Sequence, residues 1–175
     1  QVSLQAGTQV DAYGASGADA SIDRYVRGLV LTSLGGGSID VSGSIDAPQG
    51  YISLGTDLSG SVNLSGILTS STSVARNGKI SLIGGTVDLA AGAAIAIRPE
   101  AGIETIPQSP DSVAVFKTSQ IEIGSHFYAT VNGRITAGDS GSLTITDLLP
   151  AQITIGPDTT IHAPSANVAI GGTAN

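Results

Sequence analysis

Short runs in which every second residue is aliphatic recur along this chain, and few of them exceed four residues. The stretch Gln152–Ile170 shows the unit: QITI, TIHA and NVAI, separated by GPDT and PSA. Period-2 alternation puts Ile153 and Ile155, Ile161 and Ala163, and Val168 and Ile170 on one side of extended backbone, with Thr154, His162 and Ala169 on the other. The links carry turn chemistry, Gly156 expected at positive φ and Pro157 and Pro164 for fixed φ. Three strands joined by three or four residues leave no room for helical crossovers, which need a dozen or more. A coil of three strands that stacks on copies of itself satisfies the pattern.

The same three runs return along the rest of the chain. A first-strand pattern reads QVDA at Gln9, SIDV at Ser38, SVNL at Ser61, TVDL at Thr86, YATV at Tyr128 and QITI at Gln152. Second strands read SIDA at Ser44, ILTS at Ile67, AIAI at Ala94, RITA at Arg134 and TIHA at Thr160, with SID at Ser21–Asp23 the best candidate in the first coil. Third strands read QVSL at Gln1, GLVL at Gly28, YISL at Tyr51, KISL at Lys79, QIEI at Gln120, SLTI at Ser142 and NVAI at Asn167. The spacing predicts two inward columns: Ile39, Val62, Val87, Ala129 and Ile153, and Ile52, Ile80, Ile121, Leu143 and Val168.

From Ser38 onward, first strands follow one another at 23, 25 and 24 residues, except for 42 from Thr86 to Tyr128. The excess lies between Ile97 and Gln120, where the coil pattern is lost and three of the seven prolines collect. One domain spanning 1–175 is therefore expected, a solenoid of about 24 residues per coil with an insertion projecting at about 98–119. The chain is expected to begin and stop at the same phase, as a third strand passes toward a first. That reading makes it a segment of a longer solenoid or a protomer stacked head-to-tail.

Composition narrows the means of cohesion. Aromatics are 3% of 175 residues, charged residues 12%, and glycine alone accounts for 24. A core of large rings is excluded, so backbone ladders and stacked aliphatic side chains must hold the fold. A net charge of −7 argues against nucleic acid and anionic membrane as partners. The absence of cysteine removes disulfides, thiolate metal sites and cysteine catalysis. No apolar run approaches the ~20 residues of a membrane span. The chain opens on Gln1 without a signal peptide, so an export signal is expected outside this sequence.

The phrases GGSIDVSGSIDAPQGYISL, GKISLIGGTVDLAAGAAIAI and NVAIGGTAN resemble the shaft repeats of filamentous-haemagglutinin-type exoproteins. The resemblance covers nearly the whole chain outside the insertion. It implies a single-stranded, right-handed parallel β-helix, all-β and three-sided. It also implies a secreted or outer-surface bacterial protein, exported by two-partner secretion and adhesive or structural in role. No RGD tripeptide occurs in the sequence.

Several constellations could carry chemistry. Asp11, Asp40, Asn63 and Asp88, followed by Thr130 and Thr154, are expected to stack along the outward face of the first strands. Oxygen ligands in that arrangement suggest Ca²⁺. The competing and favoured reading is a solvated polar face with Asn63 bonding its acidic neighbours. GDSGS at Gly138–Ser142 matches the surroundings of a serine nucleophile, but neither His126 nor His162 sits in a matching histidine motif, so a turn is expected there. Threonines are too irregular for an ice-binding face.

Many β-helices act on polysaccharides, which requires carboxylates clustered on one outward face. Here the outward columns of the second strands (Asp46, Thr69, Ala96, Thr136, His162) and third strands (Ser3, Val30, Ser53, Ser81, Glu122, Thr144, Ala169) are small and mostly uncharged. Arg98, Glu100, Glu104, Asp111 and Lys117 in the insertion form the candidate partner contact. No catalytic residue and no cofactor are expected. The expected partners are neighbouring coils or head-to-tail copies, and a cell-surface glycan or protein. A carbohydrate-active β-helix is the alternative.

Overall fold

The computed structural model describes residues 2–4, 9–11, 28–72, 77–99, 119–137, 142–147, 152–163 and 167–171. Its strands are β1 (Val2–Leu4), β2 (Gln9–Asp11), β3 (Gly28–Ser33), β4 (Ser38–Val41), β5 (Ser44–Ala47), β6 (Tyr51–Thr56), β7 (Ser61–Leu64) and β8 (Ile67–Thr72). They continue as β9 (Lys79–Leu89), β10 (Ala94–Pro99), β11 (Gln120–Val131), β12 (Arg134–Thr136), β13 (Ser142–Asp147), β14 (Gln152–Ile155), β15 (Thr160–His162) and β16 (Asn167–Ile170). No helix occurs among the described residues.

Every pairing is parallel, and each strand pairs with its counterpart one coil away. The chain is a parallel β-helix. Second strands form a six-stranded sheet in the order β15-β12-β10-β8-β5-β2. First and third strands fall into one ten-stranded sheet, because β9 and β11 run without a break from the third face round the corner into the first.

Alternation does the sorting. In β4, β5 and β7 the second and fourth residues are buried while the first and third are half-buried. Ile39, Val62, Val87, Ala129 and Ile153 are register partners in succession, as the spacing requires. Ile52, Ile80, Ile121, Leu143 and Val168 form the second expected column. The second sheet adds Ile45, Leu68, Ile95, Ile135 and Ile161. These columns meet on the axis in one aliphatic core. Like stacks on like because a parallel, in-register ladder brings equivalent side chains together at ~4.8 Å.

Ladder hydrogen bonds continue through the corners. Ser65 and Gly66 N–H groups donate to the Val41 carbonyl at 2.9 and 3.0 Å, and Ile67 N–H donates to Gly43 at 2.9 Å. This brings backbone against backbone: a Cβ on Gly66 would collide with the Gly43 carbonyl oxygen. Inside the second-to-third corner, Ser70 Oγ donates to the Ala47 and Gly50 carbonyls, both at 2.9 Å. A buried hydroxyl is thereby satisfied.

The start of the chain departs from the expected phase. Val2–Leu4 pairs with the first strand β4, and Gln9–Asp11 pairs with the second strand β5. QVSL was expected as a third strand and QVDA as a first. Each stands one position further along, so the described strands open on a first strand and close on the third strand β16. The error was free to occur because a four-residue link fits either corner: 34–37 joins third to first, and 90–93 joins first to second. The Ser21–Asp23 candidate lies outside the described residues.

Length variation concentrates at the second-to-third corner. That corner takes residues 48–50 between β5 and β6, but 12–27 between β2 and β3 and 100–119 between β10 and β11. Links at the other two corners never exceed four residues. The last coil differs from those above it in cover. Ile155, Val168 and Ile170 are 43%, 46% and 48% exposed, whereas Val131, Leu143 and Ile145, one coil earlier in the same columns, are each 0% exposed.

Candidate functional site

The first face carries the polar ladder. Asp40, Asn63, Asp88, Thr130 and Thr154 are successive register partners on its outward side. Asp11 does not belong to it: β2 lies in the second sheet, with Asp11 in register with Asp46. Ser3, expected on the third face, instead takes the position beside Asp40. Both displacements follow from the phase of the first coil.

Asn63 donates through Nδ2 to Asp40 Oδ1 at 2.6 Å, and Ser38 Oγ donates to Asp40 Oδ2 at 2.8 Å. Both Asp40 oxygens are therefore engaged by neighbours on the same face. An open depression of about 290 Å³ lies alongside, lined by Asp40, Asn63 and Asp88 together with Ser42, Ser65 and Ala90. Asn63 separates the two acids of the ladder and neutralises the middle of it. Among the described residues, no three His, Cys, Asp or Glu side chains are grouped so as to hold a metal ion. The arrangement is an acceptor-rich strip, suited to hydroxyl or amide donors.

Two further polar features lie elsewhere. On the third face, Glu122 Oε2 lies 3.6 Å from Lys79 Nζ and accepts from Ser81 Oγ at 3.4 Å. On the second, Thr69 Oγ1 donates to Asp46 Oδ1 at 2.6 Å. His162 ends β15 in the column of Thr136, exposed to solvent. His126 sits at the irregularity in β11 between Ser125 and Tyr128, with Nδ1 buried and without a hydrogen-bond partner. Arg98 lies exposed at the end of β10, in register with Ser71. Glu100, Glu104, Asp111 and Lys117 lie outside the described residues, as does Ser140 of GDSGS.

One feature escaped the sequence reading. Asp57, in the third-to-first corner, accepts Gly35 N–H on Oδ2 at 2.6 Å and Gly36 N–H at 3.3 Å, bridging to the coil above. It also accepts the N–H and Oγ of Ser59, at 3.2 and 3.0 Å. Gly35 and Gly36 have φ of 72° and 74°, which aims consecutive N–H groups at one acceptor. The Gly35 N–H foremost, with Ser59 and Gly36, holds the Asp57 carboxyl below the usual carboxylate range. The signal was present as LGGGSID above GTDLSGSVN, glycines in one coil facing Asx-turn chemistry in the next.

No family model matches the chain, and neither does any curated protein or solved structure. Function must therefore be argued from the geometry itself. The geometry offers a long regular ladder, one polar strip and one corner of variable length.

Proposed function

We propose that this chain is a structural shaft segment of a secreted or cell-surface bacterial adhesin or extracellular filament, which displays or spaces binding elements. The observation that carries the reading is the unbroken, in-register stacking of aliphatic columns from β4 to β16. Such a stack resists bending because each coil is tied to the next by three parallel ladders. It resists proteases because ladder amides and carbonyls are already paired. Each coil lengthens the rod by ~4.8 Å, so length is set by coil number. The variable corner supplies attachment points. The residues offered there for a glycan or protein surface are Arg98, Glu100, Glu104, Asp111 and Lys117.

Electron microscopy of the purified chain should show uniform short rods, and limited proteolysis should cut within 100–118 before it cuts the ladders. A variant with 100–118 replaced by a short link should keep the rod and lose binding to the surface the native chain adheres to. Turnover of an acidic polysaccharide, abolished by Asp40→Asn or Asp88→Asn, would overturn this reading in favour of a carbohydrate-active β-helix.

A further inference from the structure

Inward positions of the third face carry aliphatic columns until the chain reaches the third-to-first corner, where the column turns small and polar. Ser33, Thr56, Gly84 and Ser125 succeed one another there. Ser33 pairs with Thr56 and Gly84 with Ser125, while Thr56 follows Gly55, the partner of Ile83. Ser33 is 7% exposed and Ser125 0%. In the column beside it the same coils supply Leu31, Leu54, Leu82 and Ile123. Gly84 thus leaves free, inside the corner, the volume that a leucine takes two residues earlier.

Hydroxyls at this corner differ from those at the other two. Ser70 Oγ, at the second-to-third corner, reaches the Ala47 and Gly50 carbonyls. Thr159 Oγ1, at the first-to-second corner, donates to the Val131 carbonyl. Thr56 Oγ1 and Ser125 Oγ are buried and have no hydrogen-bond partner in the protein. A buried hydroxyl in that condition is costly, and two of them flank one glycine.

The space between them meets a third oxygen. A Cβ on Gly84 would stand 2.7 Å from Thr56 Oγ1 and 2.9 Å from the Thr86 carbonyl oxygen, with Val62 Cγ2 next at 3.4 Å. The slot a side chain would enter therefore opens between two oxygens, and Ser125 closes it from the coil below. We propose that this slot is a buried hydration site, in which one water molecule joins Thr56, Thr86 and Ser125. The water donates to the Thr86 carbonyl, which has two lone pairs, and to one hydroxyl oxygen. It accepts the proton of the other hydroxyl. Three partners are the usual complement of a buried water. All three oxygens are neutral, which suits a neutral molecule able both to donate and to accept.

A high-resolution crystal structure of the whole chain is the first test. A density peak within hydrogen-bond distance of Thr56 Oγ1, Ser125 Oγ and the Thr86 carbonyl oxygen is expected. Oxygen-17 magnetic relaxation dispersion is the second, because a water held there exchanges slowly enough to be counted. Thr56→Val combined with Ser125→Ala should lower that count by one, with circular dichroism verifying the fold. Ser53→Ala, on the outward side of the same face, should leave it unchanged. Hydroxyls turned onto main-chain carbonyls, with no peak in the slot, would overturn the proposal. So would an unchanged count in the folded double variant. An alkali cation in the slot, betrayed by a melting temperature that follows the choice of alkali chloride, would overturn it too. Asp147, in register with Ser125 one coil on, makes that the rival to exclude.

Discussion

The coil around Ile80 and the coil around Val168 are built from the same sequence pattern and occupy the same columns, yet they stand in different physical situations. Ile80 is flanked by Ile52 above and Ile121 below and is fully buried. Val168 has Leu143 on one side and nothing described on the other. A repeat in a solenoid therefore has no fixed stability of its own, because half of what holds it comes from the next coil. The pattern of a run establishes which way its side chains face. The neighbours establish whether that facing stabilises anything.

The largest expected effect contrasts these two sites directly. Ile80→Asp should bury an unpaired carboxylate and cost ~4 kcal/mol or more. Val168→Asp, at an open position, should cost less than ~1 kcal/mol in the monomer. Thermal unfolding of both variants checks the pair, and equal losses would mean that the last coil is covered after all.

A corner gives the next contrast. Gly66→Ala drives a methyl into the Gly43 carbonyl, which the ladder holds in place, and should cost ~1–3 kcal/mol. Gly156→Ala, in the last coil, meets the side chain of Asn132, which can turn aside at the expense of its bond from Asp158 N–H. Its cost should stay near ~1 kcal/mol. Denaturant midpoints separate the two.

On the polar strip, Asn63→Asp should cost ~0.2–1 kcal/mol, since it removes the donor to Asp40 and inserts a third acid beside Asp88. Thr154→Asp, at the open end of the same column and next to Thr130, should be close to neutral.

The smallest effect is read as a pH dependence. The Asp57 carboxyl is held below its ordinary value of 3.8 in the fold, so its contribution is complete above that value. It fades as pH falls through the folded value. Asp57→Asn should flatten that acid limb in a melting-temperature profile, with its loss of stability seen near neutral pH and shrinking as the pH falls.

Most of the architecture could be read directly from the chain. The assignments from Ser38 onward stand strand by strand, because a period of two combined with a mostly constant coil length leaves a single register that turns the alternating aliphatics inward. Phase was the weak point. QVSL and QVDA have the right alternation, but a strand's face is defined by what precedes and follows it, and the following link, 12–27, is far from the usual length. The ladder's acids were legible as a column from Asp40 to Asp88, while Asp11 moved with its misplaced strand. The Asp57 clamp was not legible within its own coil, because two of its donors, Gly35 and Gly36, belong to the coil before it. Pairwise comparison of coils, rather than inspection of each, would have revealed it.

The continuity of β9 and β11 round the third-to-first corner has a consequence for how the rod comes apart. At those levels two faces are welded into a single ribbon, whereas the second sheet joins that ribbon only through links. Under breathing motions the middle of the rod should gape along the seam where the second sheet meets the third face, with the opposite edge acting as a hinge. Hydrogen exchange would register the asymmetry, with amides at Gly84 and Gly124 outlasting those at Gln49 and Gly50 although all four lie at corners.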